Sequence, residues 1–185
     1  MNTLKQFHHN TINFSRRINL TFLTFILTGI LLCGKTEAAQ NEKLVVLPFE
    51  IVDNTPMPGG QERNQKMLDK ITQYIAKNID KNRFFEVVPQ SRVNETVRDA
   101  KLGTDIRNCN LCEFDLAESL AGEKVMIGWI YKMSILILTM HIEIKDVATQ
   151  QTFISKAYDF RGDNEKAWLR AADYMLRDLG EMLGR

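Results

Sequence analysis

The sequence predicts an α/β protein in which a mixed sheet of about five strands is covered by helices. Three observations lead to this fold class. An apolar segment near residue 44 has the composition of a strand that is buried on both faces. A segment with helical periodicity separates it from a second apolar segment, an order typical of a strand–helix–strand unit. The longest apolar stretch, residues 124–145, exceeds one ordinary strand and indicates two strands of an antiparallel meander.

The first forty residues are predicted to lie outside this domain. Arg16 and Arg17 precede an apolar run at residues 18–33, and small residues follow at Ala38 and Ala39. A basic start, an apolar centre and a small-residue exit are typical of a secretory signal peptide. We therefore expect residues 1–38 to be removed by cleavage near Ala38, and residues 39–185 to form a single domain.

Three other interpretations of this segment stay open. The run could be retained as a membrane anchor, although its 16 residues are fewer than the roughly 20 that a spanning helix needs. Cys33 could carry a lipid, although Leu32 stands where lipoprotein signals usually have a small residue. The arginine pair could belong to a twin-arginine export signal, although Asn19 departs from its usual apolar residue.

Export with an alanine-type cleavage site indicates the periplasm of a Gram-negative bacterium. Cleavage would remove four of the 24 basic and one of the 23 acidic residues, leaving 20 against 22 and a net charge of −2. Scattered, nearly balanced charges argue against a nucleic-acid partner. The remaining chain of about 147 residues would bury roughly 70% of its unfolded surface, enough for one core.

The first strand is predicted at residues 44–52. Pro48, which Phe49 follows, has no N–H to donate, so we expect strand pairing to loosen there; both residues are candidate structural positions. Residues 53–60 are rich in turn-forming types. This loop should emerge at the end of the sheet, where α/β proteins usually meet ligands and partners. Its candidate interaction residues are Asp53, Asn54, Gly59 and Gly60.

Helical periodicity follows over residues 61–81. Apolar residues recur there at steps of three and four and so share one face; they are Leu68, Ile71, Ile75 and Ile79. Residues 83–89 have the composition of the second strand. A polar helix is predicted to begin near Gln90, with Ser91 as its N-cap.

A short helix is predicted at residues 114–120, closed by Gly122. In the long apolar stretch, even-numbered residues from Leu136 to Ile144 alternate with a more polar odd set, so the even set should face the core. A strand at residues 152–160 and a last helix complete the order β-α-β-α-α-β-β-β-α.

The last helix is predicted to begin at Asp163 or Asn164, since either side chain can cap it. Trp168 lies on its apolar stripe and is interpreted as a core residue. Arg161 and Gly162 precede the cap and are candidate structural residues that steer the chain into the helix.

One further hypothesis concerns the charge of Arg161. A side chain at that position could form an ion pair with Asp53 or Glu50, which lie near the end of the first strand.

The sharpest chemical feature is the motif Cys109-Asn-Leu-Cys112. Two cysteines so close together in an oxidising compartment should form a disulfide. A static bridge that holds a loop is one interpretation. The other is a redox dithiol, in which Cys112, at the start of a predicted helix, would have its thiolate stabilised by the helix dipole. The motif alone leaves both open.

Other chemistry has little support in the sequence. Haem attachment would need a histidine after the second cysteine, and residue 113 is glutamate. A structural zinc site needs about four ligands, and after cleavage His141 would be the sole histidine beside the two cysteines. No nucleophile elbow, phosphate loop or dinucleotide fingerprint is present in the sequence. We therefore predict no cofactor, no metal and no catalytic residue.

Three segments together resemble the TolB amino-terminal, CsgG and LpoB group of exported α/β domains: residues 43–49 (KLVVLPF), 83–89 (RFFEVVP) and 116–128 (LAESLAGEKVMIG). The cysteine pair and residues 159–168 depart from that pattern and look more like an uncharacterised exported family within the group. The resemblance implies non-enzymatic work in the envelope: docking to other proteins, regulating an assembly or forming oligomers.

The sequence thus favours a periplasmic binding or adaptor protein that contacts another envelope protein, or itself as an oligomer. An alternative is a thiol–disulfide or electron-transfer accessory protein that uses the cysteine pair. A link between this alternative and periplasmic quinoprotein alcohol oxidation is an association that no residue of this chain supports. A third hypothesis is a purely structural subunit of a homo-oligomer.

Overall fold

The computed structural model describes residues 41–101 and 106–184. In these ranges six strands form one mixed sheet and four α-helices pack on it, which confirms the α/β class. The strands are β1 (Lys43–Val46), β2 (Glu50–Asp53), β3 (Glu86–Val87), β4 (Lys124–Lys132), β5 (Ile137–Asp146) and β6 (Thr152–Arg161). The helices are α1 (Gly60–Lys81), α2 (Gln90–Asp99), α3 (Cys112–Ser119) and α4 (Glu165–Met182). A short 3₁₀ helix, Ile106–Asn108, precedes α3.

The strand order across the sheet is β3-β1-β4-β5-β6, and β2 also pairs with β4. β1 is parallel to both β3 and β4, and β2 is parallel to β4. β4, β5 and β6 form an antiparallel meander, as predicted. The sheet is therefore parallel on one side and antiparallel on the other.

The predicted first strand is divided in two at Pro48. Both halves lie on β4, but the three residues that join them, 47–49, lie opposite only two residues of β4, 127–128, so the chain bulges between the halves. The missing proline N–H explains where the ladder is interrupted. The next N–H, that of Phe49, turns to the side chain of Thr72 on α1, with an N–Oγ1 distance of 3.0 Å. The sheet consequently has six strands instead of about five.

The larger core lies between one face of the sheet and the helices α1 and α4. The predicted stripe of α1 is buried there, as are the even-numbered residues of β5 from Leu138 to Ile144. Trp168 of α4 is 1% exposed and meets Phe160 edge to face. Asn164 is the N-cap of α4, since its side chain accepts a hydrogen bond from the N–H three residues later.

A smaller core lies on the opposite face, where α2 and α3 cover β1 and β4. Alternate residues of β1 feed the two cores, because neighbouring side chains of a strand point to opposite faces: Leu44 and Val46 enter the larger, Val45 and Leu47 the smaller. β1 is thus the strand at which the helices change sides.

Three local predictions were wrong. Ser91 lies inside α2, whose N-cap position is Pro89, without a side-chain cap. The left-handed residue after α3 is Ala121, with φ of 55°, and Gly122 instead donates its N–H to the carbonyl of Ala117. Leu136 precedes β5 and is exposed, because the strand begins only at residue 137.

Some predictions fall outside the described residues. They include the signal peptide with its Ala38 cleavage site, and Cys33. Among the helices that are described, none has the length and apolar character needed to cross a membrane.

Candidate functional site

A crevice opens at the carboxyl end of β1. The two helices that flank this strand pack on opposite faces, so they separate beyond its end, which is where α/β sheets usually bind ligands. The cavity has a volume of about 890 Å³. Pro48 and Phe49 follow β1 into it, Leu68 contributes from α1, Val97 from α2, and Ile106 from the 3₁₀ helix.

Phe49 is held in a fixed position in this crevice. Its side chain is buried, and it lies directly on Gly128 of β4, where a Cβ atom would overlap the ring. Glycine at 128 is thus required by a close approach and not by backbone conformation. Together with the hydrogen bond to Thr72, this contact fixes the backbone between β1 and β2.

A buried ion cluster lies beside the crevice, where β2 and β4 end. Lys132 Nζ lies 3.1 Å from Asp53 Oδ2 and 3.0 Å from Asp163 Oδ2, and the lysine side chain is 2% exposed. Asn64 Nδ2 donates to Asp53 Oδ2 at 3.0 Å, and Arg63 pairs with Asp163. The cluster therefore ties together two strands, the first turn of α1 and the segment that enters α4.

The cluster keeps Lys132 and Asp53 charged. Burial by itself would lower the pKa of Lys132, but the hydrogen bonds and charges of Asp163 and Asp53 raise it overall. Burial would likewise raise the pKa of Asp53, but the Thr55 N–H and the Lys132 ammonium lower it overall. The pair is consequently ionised at neutral pH and needs both partners.

The hypothesis for Arg161 requires a correction. Asp53 forms its ion pair with Lys132, and Glu50 forms one with Arg107 at a separation of 3.8 Å. Arg161 is exposed at the end of β6, opposite the first residue of β5. Sequence reasoning missed Lys132 because a lysine at the end of an apolar strand resembles the strand's polar boundary.

The connection between β4 and β5, residues 133–136, and the first residue of β5, Ile137, form an apolar tip. Its four large side chains are about half exposed or more, and Leu136 is the most exposed at 65%; they are Met133, Ile135, Leu136 and Ile137. Met57, in the loop after β2, is also exposed and lines the crevice. Apolar side chains in such number at one end of a domain are typical of an interaction surface.

The apolar tip is rigidly held. Ser134 Oγ accepts the N–H groups of Leu136 and Ile137 at 3.2 and 3.1 Å. The carbonyl of Leu136 accepts from Gly162 N–H at 3.1 Å, and Asp163 N–H donates to the next carbonyl back. Gly162 has φ of 94°, a conformation that favours glycine. The segment at 162–163, which directly follows β6, thus holds the apolar tip in place through these backbone hydrogen bonds.

The predicted interaction loop joins the crevice to the apolar tip. Asp53 and Gly60 line the crevice, whereas Asn54 is exposed. Asn54 N–H donates to the Lys132 carbonyl at 3.1 Å, immediately before the tip. Gly59 is left-handed, with φ of 73°, and occupies the N-cap position of α1. We call the crevice, this loop and the apolar tip together the docking end.

The two cysteines lie apart from these features. Cys109 and Cys112 are joined by a disulfide with a Cα–Cα distance of 5.6 Å, and neither is among the described residues that line the crevice. Cys112 is the first residue of α3, but the same first turn carries Glu113 and Asp115.

Metal binding has no support in residues 41–101 and 106–184, where no group of three ligating side chains comes together. His141 is half-buried and stacked parallel to Trp129, with ring centroids 4.7 Å apart. Burial lowers the pKa of His141. Its place on the sheet is therefore explained by packing.

These features define an α/β domain with a docking end and no recognisable catalytic group among the described residues. Residues 42–179 match the family DUF3280, described as "Protein of unknown function (DUF2380)". The match spans well over half of the chain, and the protein belongs to this family. No curated protein sequence matches it.

Several solved structures are similar to this chain at low sequence identity. Lipoprotein GNA1162 from Neisseria meningitidis shares the fold, with a TM-score of 0.52 and 14% identity, over 75% of this chain and 96% of that one. The LpoB C-terminal domain from Escherichia coli has a TM-score of 0.45 and 11% identity, over 69% and 88% of the two chains. A PelC dodecamer from Paraburkholderia phytofirmans has a TM-score of 0.45 and 13% identity, over 77% and 87%. The prediction of an uncharacterised family with an α/β fold is confirmed by the family match and by the GNA1162 structure.

Proposed function

We propose that this protein is a non-enzymatic binding or adaptor module of the bacterial envelope, which holds another envelope protein at its docking end. The observation that carries the proposal is the apolar tip, whose exposed side chains are fixed by hydrogen bonds to Ser134 and to the segment at 162–163. The predicted leader and the disulfide support a periplasmic location.

Rigidity is what makes the apolar tip suitable for binding. A partner that covers a preorganised surface loses little further conformational entropy on association. Burying three or four half-exposed aliphatic side chains contributes on the order of several kcal/mol before the association entropy is subtracted. The adjoining crevice offers a concave surface to receive a side chain of the partner.

The cysteine pair fits a structural role better than the redox alternative. A reactive cysteine needs surroundings that stabilise its thiolate. Glu113 and Asp115 in the first turn of α3 oppose the helix dipole at Cys112. We therefore assign the bridge to holding the loop before α3.

The test is a comparison of crosslinked partners in the native host. The full chain is expressed as wild type, as the double variant Ile135→Ser and Leu136→Ser, and as Met182→Ser. Met182 is an exposed apolar residue at the end of α4 and serves as the matched control. Because all three residues are exposed, we expect stability to change by no more than about 0.5 kcal/mol each.

We expect one envelope protein to be recovered equally by wild type and Met182→Ser, and about tenfold less by the double variant. Equal recovery by all three chains would contradict the proposal, and so would recovery of the chain's own copies alone. Unfolding curves of the purified chains separate a lost contact from a lost fold.

A further inference from the structure

The sheet ends on one side in a long strand with a free edge. β6 has ten residues and pairs with β5 on one side; no other described strand pairs with it. The opposite edge is β3, which has two residues. A long edge strand presents a row of unpaired N–H and C=O groups, which can pair with another strand.

An exposed aromatic side chain lies beside this edge. Tyr174 on α4 is more than half exposed and meets Tyr158 of β6 edge to face, with ring centroids 5.7 Å apart, so it lies on the helix side. Phe153 of β6 is also exposed, but its ring lies 5.8 Å from Lys124 Nζ of β4, toward the interior of the sheet. An exposed aromatic ring beside an unpaired edge is a feature of edges that a partner covers.

The edge is complementary to itself in one register. In a twofold antiparallel pair, paired residues have numbers with a constant sum and face the same side of the sheet. A twofold axis at Ala157 gives the pairs Ile154 with Phe160, Ser155 with Asp159, and Lys156 with Tyr158. These pairs match apolar with apolar, hydroxyl with carboxylate and ammonium with phenol.

Neighbouring registers are unfavourable. A twofold axis at Lys156 places two lysines opposite each other, and an axis at Asp159 does the same for two carboxylates. Like charges directly opposite destabilise a strand pair. An axis at Tyr158 sets Lys156 against Phe160, an apolar side chain that gives the ammonium no partner across the axis. A small residue at the axis, Ala157, also allows the closest approach of the two backbones.

We propose that the partner of this edge is a second copy of the chain: two copies pair antiparallel through β6, with a twofold axis at Ala157. The two sheets then continue across the axis. The interface lies on the β6 edge, whereas the docking end lies at the carboxyl ends of β2 and β4, so a dimer would present two docking ends.

Cysteine substitution tests the register. Two residues paired across antiparallel strands have Cα atoms about 4.5–5.5 Å apart, a distance that a disulfide spans. Ala157→Cys should therefore crosslink spontaneously to its copy. Ser155→Cys is the matched control, equally exposed on the same strand, but its copy would lie roughly 14 Å away at 3.4 Å per residue. Both variants carry Cys33→Ser, and the native disulfide is retained.

We expect covalent dimers from Ala157→Cys to exceed those from Ser155→Cys by about tenfold. The wild-type chain should have the mass of a dimer in solution, and Ala157→Lys, which places two like charges at the axis, should shift it toward monomer. Equal crosslinking of the two cysteine variants would overturn the proposal, as would a wild-type monomer at concentrations up to about 100 µM.

The outcome is separable from that of the proposed function. The double variant at Ile135 and Leu136 should keep the dimer mass, and Ala157→Lys should keep the folded structure. If the wild type is monomeric but still recovers an envelope partner, the dimer proposal is refuted and the proposed function is not.

Discussion

Replacing Lys132 with methionine tests whether the buried ion cluster holds the docking end together. Methionine keeps much of the apolar stem but carries no charge. The lysine Nζ lies within 3.1 Å of Asp53 and 3.0 Å of Asp163 and is almost completely buried. The substitution therefore leaves two buried carboxylates, with Arg63 and Asn64 as their neighbouring donors.

The expected loss follows from this arrangement. Removing one partner of a buried ion pair typically destabilises a protein by about 3–5 kcal/mol, because the other charge stays buried without compensation. Lys132 serves two carboxylates, but Arg63 still compensates Asp163 in part. We expect Lys132→Met to lower the free energy of unfolding by about 3–4 kcal/mol at neutral pH, a large share of a typical 5–15 kcal/mol.

Urea denaturation measures this loss, with Lys66→Met as the matched control. Lys66 has a side chain that is 74% exposed and lies 2.7 Å from Glu62. Exposed pairs contribute about 0–1 kcal/mol, so the control should unfold almost as the wild type does.

The pH dependence gives a second readout. The pKa of Asp53 is lowered in the folded wild type, so its contribution is present above the unfolded pKa and is lost as the pH falls through the folded pKa. Without the Lys132 ammonium the pKa of Asp53 is lowered less. The free energies of unfolding of wild type and variant should therefore converge below about pH 4. A loss under about 1 kcal/mol at neutral pH, or one that does not shrink in acid, would refute the reasoning.

Three further stability predictions use the same denaturation assay. Gly128→Ala should cost about 1–3 kcal/mol because its Cβ overlaps an aromatic ring, whereas Gly60→Ala, whose Cβ would make only an ordinary contact 3.9 Å from Met57 Cβ, should stay within about 0.5 kcal/mol; equal effects would contradict the close approach. Replacing Cys109 and Cys112 by serine together should cost about 2 kcal/mol, since the bridged loop is short; no loss would leave the bridge without a structural role. Asn164→Ala should cost about 1 kcal/mol through the lost cap, and an unchanged midpoint would show that the cap is dispensable.

Local pattern was enough to predict the elements. The stripe of α1 follows from spacing alone, because a helix brings residues three and four apart onto one face. Pro48 marked where strand pairing is interrupted, since its missing N–H is a local property. That the chain returns to β4 after the interruption depends on the register with residues 79 positions further along the chain, which no local pattern encodes.

The site was predicted only where turn chemistry marks it. The glycines and the asparagine of residues 53–60 predicted the loop. The ion cluster could not be predicted in this way, because it joins side chains that are far apart in the sequence. Lys132 lies at the end of β4 and Asp163 lies just after the end of β6, and the sheet topology brings these two strand ends together. Leu136 was assigned to the core because alternation continues past the start of β5. The core ends where other elements no longer cover the strand, and the alternation of apolar and polar residues does not encode that position.

The most direct test of the central claim is site-specific photo-crosslinking of the full chain in its host. A photoreactive residue replaces Leu136 in the apolar tip or, as control, the exposed Ala148 in the turn between β5 and β6 at the other end of the sheet. The account predicts that position 136 crosslinks to a distinct envelope protein and position 148 does not. Identical products from both positions, or none from position 136, would contradict it.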